Sequence, residues 1–208
     1  MILVPAALAR VKLMVLIVCL GTLQSCDWIG SKDLDHVSKI LVVSDSMGTG
    51  YNIATPYPDL IRDETGIPVI NDSVNGRESA EVLADFENLL MAHSPSHTII
   101  MLGTNDARKS HVEEAKHNLQ LMLGMAQERG INAIIATVPV YLYDEQVNIR
   151  TRQISDWILN QDMGHVVDIR KALGDGSETL GDRIHPNQSG QQLITSSMLE
   201  ILAKAGNH

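Results

Sequence analysis

Short runs of consecutive apolar residues alternate along this chain with longer segments in which apolar residues recur every three or four positions. Five of the runs have the length of a strand, and they cover residues 40–43, 69–70, 98–102, 133–138 and 165–169. Apolar residues fill consecutive positions in these runs instead of every second one, which is typical of parallel strands with both faces buried. The pattern therefore predicts five parallel strands.

Four longer segments have the spacing of amphipathic helices, and they cover residues 79–91, 112–129, 145–160 and 189–205. In the first of them, Val82, Phe86 and Leu89 share one face while acidic residues occupy the other. Gly130 follows the second segment and is expected to end that helix as a C-terminal cap residue. Strands that alternate with helices predict a three-layer α/β/α sandwich with right-handed crossovers around the five-stranded parallel sheet.

The N-terminus has the pattern of a targeting segment. Arg10 and Lys12 precede an apolar run over residues 13–20, which is too short to cross a bilayer as a helix. The following Leu23-Gln24-Ser25-Cys26 resembles the lipobox of bacterial lipoproteins, in which the cysteine is lipidated and becomes the new N-terminus. An ordinary secretory signal that ends near a cysteine by coincidence is the alternative.

The lipobox interpretation divides the chain into three parts. We expect a signal peptide over residues 1–25, a lipidated Cys26 with its tether over 26–37, and one folded domain over 38–208. The lipid would anchor the protein to a membrane in the bacterial periplasm. Asp27 stands where enterobacterial lipoproteins carry an inner-membrane retention signal, which favours that membrane.

Composition narrows the range of function classes. The chain has 208 residues, 44% of them hydrophobic, which is enough for one domain with a sizeable core. Its formal net charge is −9, and it has no stretch in which basic and aromatic residues are interleaved. This pattern argues against a nucleic-acid partner and indicates no obligate protein partner.

Polar clusters follow the predicted strands, at the edge where parallel α/β sheets place their sites. They are Ser44-Asp45-Ser46, residues 71–76, residues 103–106 and residues 182–187. The last cluster has an acid three residues before a histidine, and a serine, a histidine and an acid are the parts of a nucleophilic acyl-transfer site. The sequence therefore predicts such a site at this edge of the sheet.

These four clusters, in this order and spacing, resemble the blocks of the SGNH hydrolases, the GDSL family of lipases and esterases, over residues 38–204. The resemblance implies a flavodoxin-like fold. It also implies that Ser46 is the nucleophile, that His185 is the general base and that Asp182 orients the base.

The same resemblance implies an oxyanion hole formed by the backbone N–H of Ser46, the backbone N–H of Gly76 and the side-chain amide of Asn105. Ser44 and Asn75 depart from the family pattern, which usually has glycine at the first position and serine or glycine at the second. Because a glycine normally lets the strand turn tightly there, Ser44 is expected to strain or tilt the nucleophile loop.

The function implied is a serine esterase that acts on acyl esters, lysophospholipids or thioesters. A carbohydrate O-acetylesterase would use the same triad with a smaller acyl pocket, and a non-catalytic binding lipoprotein could share the fold. We expect Tyr51 and Asn52 to shape the pocket together with residues 140–148, where Tyr141, Leu142 and Tyr143 would form an apolar wall.

Other chemistries are weakly supported, and we expect no cofactor and no metal. We expect Asp45 and Asp106 to be structural acids that bind loop backbone. His93, His97, His111 and His117 lack the spacing of metal ligands and are expected at the surface. The residues after Gly48-Thr49-Gly50 lack the lysine of a phosphate-binding loop, and Ser44 replaces the first glycine of an α/β-hydrolase nucleophile elbow.

Overall fold

A computed structural model describes residues 34–51 and 55–205, and a five-stranded sheet forms the centre of this part. The strands are β1 (Ile40–Ser44), β2 (Val69–Asn71), β3 (His97–Met101), β4 (Asn132–Ala136) and β5 (His165–Val167). All four neighbouring pairs are parallel, and the spatial order is β2-β1-β3-β4-β5. The predicted five-stranded parallel sheet is therefore confirmed, with the strand order of the flavodoxin-like doubly wound fold.

Helices connect the strands and cover both faces of the sheet. They are α1 (Ser46–Thr49), α2 (Tyr57–Thr65), α3 (Ser79–His93), α4 (Thr104–Lys109), α5 (Val112–Glu128), α6 (Glu145–Leu159), α7 (Ile169–Leu173) and α8 (Gln188–Lys204). The four predicted helices correspond to α3, α5, α6 and α8, and their ends shift by one or two residues. Gly130 follows Arg129, the C-cap residue of α5, and has a left-handed φ of +65°, as is common for glycine just after a helix.

Side chains that alternate along the strands build two hydrophobic cores. Leu41 and Val43 of β1 point into the core under α3, α5 and α6. Ile40 and Val42 point into the opposite core, under α2, α7 and α8. Both faces of β1 are therefore buried, which explains why its apolar residues are consecutive.

The helix α2 was not among the predicted elements. It begins directly after Pro56 and carries Pro58 in its first turn, where proline lacks only an N–H that has no partner inside the helix. Tyr57 and Ile61 of this helix are fully buried. Two prolines within three residues obscured this helix, which packs on α8 over the same face of the sheet.

The predicted signal peptide and Cys26 lie outside the described residues. At the end of the predicted tether, Leu34 and Val37 are buried in the core under α2 and α8, and His36 Nε2 lies 2.9 Å from the carbonyl oxygen of Leu202. Residues 34–37 thus pack on the domain. None of the helices in residues 34–51 and 55–205 has the length and hydropathy needed to span a membrane.

The prediction that His97 lies at the surface is wrong. His97 begins β3 and is fully buried, while His111 and His117 are exposed as predicted. Burial, together with the nearby His36 and His165, lowers the pKa of His97 to about 4, so the ring is neutral in the core. Its edge contact with the His36 ring, at 5.5 Å between centroids, ties the segment before β1 to the sheet.

Candidate active site

The nucleophile candidate, Ser46, follows β1 after a single residue and opens the short helix α1. Asp45 is the N-cap of this helix, and its carboxylate accepts a hydrogen bond from the N–H of Met47 at 2.9 Å. Ser46 occupies the first helical position, where a backbone N–H has no acceptor inside the helix. This N–H can therefore serve a ligand.

The loop between Leu180 and Pro186 presents the candidate base. Asp182 Oδ1 accepts hydrogen bonds from the backbone N–H of His185 at 2.7 Å and from that of Ile184 at 3.2 Å. The antiparallel bridge between Leu180 and Pro186 closes the loop at its base. One carboxylate oxygen thus folds the loop and leaves the other oxygen for the imidazole.

Ser46, His185 and Asp182 form one chain of hydrogen bonds. Asp182 Oδ2 lies 2.7 Å from Nδ1 of His185, and Nε2 of the same ring lies 2.9 Å from Oγ of Ser46. A neutral ring with its proton on Nδ1 donates to the carboxylate and turns a lone pair toward the hydroxyl. Ser46 and His185 are 139 positions apart along the chain. The three residues predicted from the strand-end clusters therefore meet in the geometry of a nucleophile, its base and the group that orients the base.

The electrostatics of Asp182 match this position. Partial burial raises the pKa of its carboxyl group, but the hydrogen bonds from the backbone and ring of His185 outweigh that effect, and the pKa lies below its usual range. Asp182 is therefore ionised at neutral pH and can stabilise an imidazolium cation.

Asn105 reaches the same edge from the turn after β3. Gly103 adopts a φ of +121°, a backbone conformation that suits glycine and turns the chain from β3 into α4. Asn105 Nδ2 lies 3.1 Å from Oδ2 of Asp45 and 3.1 Å from the carbonyl oxygen of Arg77. The amide of Asn105 thus contacts the residue before Ser46 and the residue after Gly76.

Gly76 lies in the turn between β2 and α3 with a φ of +79°. A Cβ built at this position would meet no atom within 4 Å, so the surface of the turn at Gly76 is open. Among the described residues, none accepts a hydrogen bond from its N–H. Both features fit a backbone donor that serves a ligand, and the structure therefore brings the three predicted oxyanion-hole residues to one edge of the sheet.

Two buried carboxylates, Asp45 and Asp106, lie at this edge of the sheet. The side chain of Asp45 is only 1% exposed, and burial raises its pKa to about 7 against the opposing hydrogen bond from Met47, with a further rise from the charge of Asp106. Asp106 binds the backbone N–H and the hydroxyl of Ser79, at the start of α3. Both acids bind backbone as expected, but the contact of Asp45 with Asn105 was not predicted.

The expectation that Ser44 strains the nucleophile loop is wrong. Ser44 is the last residue of β1, and its φ is not in the left-handed region that would require glycine. Its hydroxyl is fully buried and donates a hydrogen bond to the carbonyl oxygen of Met101 at 2.9 Å. Ser44 therefore fastens β1 to β3 at the strand end that leads to Ser46.

One aromatic side chain, that of Tyr51, lies against the Ser46–His185 pair. The Tyr51 ring packs against the His185 imidazole with centroids 4.5 Å apart, and 41% of Tyr51 is exposed. The predicted apolar wall is only partly formed, because Tyr141 is buried in the core while Tyr143 is 59% exposed. The guanidinium of Arg183 lies over the Tyr143 ring at 5.1 Å. Asn52, the other predicted pocket residue, lies outside the described residues.

A metal site is not part of this arrangement. Within residues 34–51 and 55–205, no group of three or more His, Cys, Asp or Glu side chains could hold a metal ion. The described site contains a nucleophile, a base and hydrogen-bond donors, which can carry acyl transfer with protein groups alone.

Comparison with known proteins places this arrangement in a family. Residues 43–193 match the sequence profile of the GDSL-like lipase/acylhydrolase family. Over 110 residues the chain is 32% identical to an arylesterase from Vibrio mimicus, a match that covers 49% of this chain and 55% of the arylesterase. The chain thus spans about half the length of that relative.

A second relative and a solved structure cover more of the chain. An acetylxylan esterase from Geobacillus stearothermophilus is 23% identical over 182 residues, which cover 74% of this chain and 81% of that enzyme. The crystal structure of the psychrotrophic esterase EstA from Pseudoalteromonas superposes with a TM-score of 0.67 at 22% identity, covering 82% of this chain and all of EstA. The superposition supports the fold.

Proposed function

Because the chain belongs to the GDSL-like lipase/acylhydrolase family, whose members are ester-hydrolysing serine hydrolases, we propose that it cleaves carboxylic esters through an acyl intermediate on Ser46. The observation that carries this proposal is the hydrogen-bond chain from Ser46 through His185 to Asp182, at 2.9 and 2.7 Å. A serine hydroxyl is a weak nucleophile until a positioned base accepts its proton, and His185 is placed to be that base.

The first half of the reaction forms the acyl-enzyme. His185 Nε2 accepts the proton of Ser46 as Oγ bonds to the ester carbonyl carbon, and Asp182 stabilises the imidazolium that results. The carbonyl oxygen becomes an oxyanion, for which the N–H groups of Ser46 and Gly76 and the amide of Asn105 are the proposed donors. The bond to the alcohol then breaks as Nε2 returns the proton to the leaving oxygen.

The second half repeats these steps with water. Water loses a proton to Nε2 of His185 and attacks the acyl carbon, and the acid leaves as Ser46 regains its proton. Each preorganised oxyanion donor typically contributes about 10²–10³ in rate. The imidazole must be neutral to accept a proton, so activity should fall at acid pH.

We propose simple acyl esters, lysophospholipids or thioesters as the substrate class. The exposed ring of Tyr51 packs against His185 and offers apolar surface beside the proposed nucleophile for an acyl chain or an aryl group. The arylesterase relative supports an ester with an apolar part.

A carbohydrate O-acetylesterase is the second candidate, and the specific observation in its favour is the similarity to an acetylxylan esterase over most of the chain. Acetyl esters of sugars need a small acyl pocket and a polar surface for the leaving alcohol. The two candidates share every step at Ser46 and differ in the acyl chain that they accept.

Hydrolysis of p-nitrophenyl esters from acetate to long acyl chains tests both the reaction and the acyl preference. We expect turnover by the purified protein and a loss of at least 10³-fold in Ser46→Ala, because the nucleophile is removed. An optimum at acetate would favour the sugar deacetylase, and an optimum at longer chains the lipid esterase. A folded wild-type protein that hydrolyses none of these esters would favour a binding role and would contradict the proposal.

A further inference from the structure

The carboxylate of Asp45 connects two of the proposed oxyanion donors. Its Oδ1 accepts the N–H of Met47 at 2.9 Å, which fixes the first turn of α1 and with it the N–H of Ser46. Its Oδ2 accepts a hydrogen from Nδ2 of Asn105 at 3.1 Å. The side chain is 1% exposed, so water does not compete for these bonds.

We propose that Asp45 is a positioning residue that holds the Asn105 amide toward the substrate oxyanion, and that it does so as a carboxylate. The inference rests on the proposed function, because it assumes that Ser46 and Asn105 act on an ester. Asp45 itself touches neither substrate nor reacting atoms in this scheme and acts through Asn105.

Three hydrogen bonds hold the side chain of Asn105, and the one to Asp45 is the buried one among them. The Oδ1 atom of Asn105 accepts from Nη1 of Arg108, an exposed side chain, at 3.2 Å. One Nδ2 hydrogen is held by Asp45 from inside the protein, and the other points to the carbonyl oxygen of Arg77. The hydrogen near Arg77 is the one that an oxyanion can share, provided that Asp45 holds the first.

The ionised form of Asp45 fits this role because two donors approach two different oxygens. A protonated carboxyl has a hydrogen on one oxygen, and that oxygen then presents a donor to a donor. An asparagine at this position has the same defect permanently, since its amide has a single acceptor oxygen. Asp45→Asn is therefore nearly isosteric and removes one of the two contacts.

Ionisation of Asp45 makes the proposed positioning role depend on pH. Two titratable groups interact with it, namely Asp106 from α4 and the buried phenol of Tyr57 from α2. Burial raises the pKa of Asp45 to about 7. Activity should then require two deprotonated groups, His185 and Asp45, and the acid limb of kcat/KM should approach a slope of two instead of one.

The experiment compares Asp45→Asn, Asn105→Ala and the double variant with p-nitrophenyl acetate as substrate. We expect kcat of Asp45→Asn to fall by about 10- to 100-fold with KM changed less than threefold, because a misplaced donor weakens transition-state binding. In the Asn105→Ala background, Asp45→Asn should cost less than threefold more. The acid limb of the kcat/KM profile of Asp45→Asn should have a slope of one.

Asp168→Asn is the matched control. Asp168 caps α7, and its Oδ1 accepts from both the hydroxyl of Thr137 and the N–H of Lys171, so the same substitution at this acid removes no acceptor oxygen that is in use. It contacts none of the proposed catalytic groups. We expect kcat of this variant to stay within twofold of the wild type.

The outcomes separate this inference from the proposed function. A wild-type enzyme that Ser46→Ala inactivates, together with Asp45→Asn at full kcat, would overturn the inference alone. Independent effects of Asp45→Asn and Asn105→Ala that multiply in the double variant would overturn it too. An inactive wild type, or an active Ser46→Ala, would instead overturn the proposed function.

Should Asp45→Asn fail to fold, Asn105→Ala alone decides through its pH profile. A slope of one in this variant, against two in the wild type, supports the inference because the requirement for ionised Asp45 disappears together with Asn105. An unchanged slope of two contradicts it.

Discussion

At the scale of single residues, Ser44 shows how a side chain can take over the position that glycine usually occupies. The last residue of β1 is extended, so nothing in its backbone requires glycine. Its hydroxyl donates to the carbonyl oxygen of Met101 on the neighbouring strand. The nucleophile loop therefore starts from a strand end that is fastened by one buried hydrogen bond.

We predict that Ser44→Gly is less stable than the wild type and equally active. Loss of the hydrogen bond and the greater freedom of glycine in the unfolded chain should together lower the free energy of unfolding by about 1–2 kcal/mol. Ser44→Ala serves as the control that removes only the hydroxyl. Denaturant unfolding and kcat/KM measure the two properties, and a more stable or more active glycine variant would show that Ser44 strains the loop after all.

Several proposed site residues could be named from the sequence because the order and spacing of its polar blocks resemble those of a known family. That resemblance implied the roles of Ser46, Asp182 and His185, and also those of Gly76 and Asn105. The contact between Asp45 and Asn105 joins positions 60 residues apart, and no local pattern indicates it. The sequence predicts only that Asp45 binds loop backbone, since an N-cap acid that also binds a side chain has no distinct sequence signal.

At the scale of elements, the loop that carries the acid and the base is tied to the segment between β4 and α6. Arg183 stands between Asp182 and His185 with a φ of 70°, which costs a non-glycine residue about 1 kcal/mol. Two hydrogen bonds connect it to Leu142, one from Nη2 to the carbonyl oxygen at 2.7 Å and one from the N–H of Leu142 to the Arg183 carbonyl oxygen at 3.0 Å. These contacts offset the strain and fix the loop from outside.

We predict that Arg183 and Tyr143 act together to hold this loop. The guanidinium lies over the Tyr143 ring, an interaction of about 0.5–1 kcal/mol at an exposed site. Arg183→Ala and Tyr143→Ala should each lower kcat by about 3- to 10-fold, because His185 then departs from its reactive geometry. Their combination should cost less than the product of the two effects, as expected for residues in contact.

Tyr143→Phe is the control for the contact between Arg183 and Tyr143, because it keeps the ring under the guanidinium and should retain wild-type kcat. Full activity of Arg183→Ala, or effects of the two alanine variants that simply multiply, would contradict the prediction.

Elements differ in how well the sequence predicted them. The strands were predicted because runs of consecutive apolar residues are typical of parallel strands buried on both faces. Pro56 before α2 and Pro58 in its first turn hid this helix, and α1, α4 and α7 are too short to show a helical period. Helices α1 and α4 begin shortly after β1 and β3 and carry Ser46 and Asn105 at the site edge.

At the scale of the whole molecule, the strand order determines where the site forms. In the order β2-β1-β3-β4-β5, the connection after β1 leads to β2 on one side, and the connection after β3 leads to β4 on the other side. Because these connections diverge, a crevice forms between the carboxyl ends of β1 and β3. Ser46 follows β1 and Asn105 follows β3, so the proposed nucleophile and one proposed oxyanion donor flank that crevice. The helix α8 starts at this same edge, where Asn187 caps it directly after the His185 loop.

The overall architecture was predictable from the alternation of strands and helices, whereas His97 was not. A histidine at a strand start gives no sequence signal of burial, and its environment comes from His36 and from the packing of residues 34–37 on the sheet. Burial of this ring depends on a segment that sequence patterns assign to a tether. The burial of His97, and with it the protonation state of the ring, is therefore set by tertiary packing and not by the local sequence.

The central claim is that Ser46 is a nucleophile activated by His185, and covalent labelling with diethyl p-nitrophenyl phosphate tests it most directly. The serine oxygen should displace p-nitrophenolate and keep the diethylphosphoryl group, because the reagent resembles the tetrahedral state of ester hydrolysis. We expect one nitrophenolate released per chain, one adduct by intact mass that peptide mapping places on Ser46, and complete loss of esterase activity. Ser46→Ala should remain unlabelled. A label on another residue, or full activity after Ser46 is modified, would contradict the account.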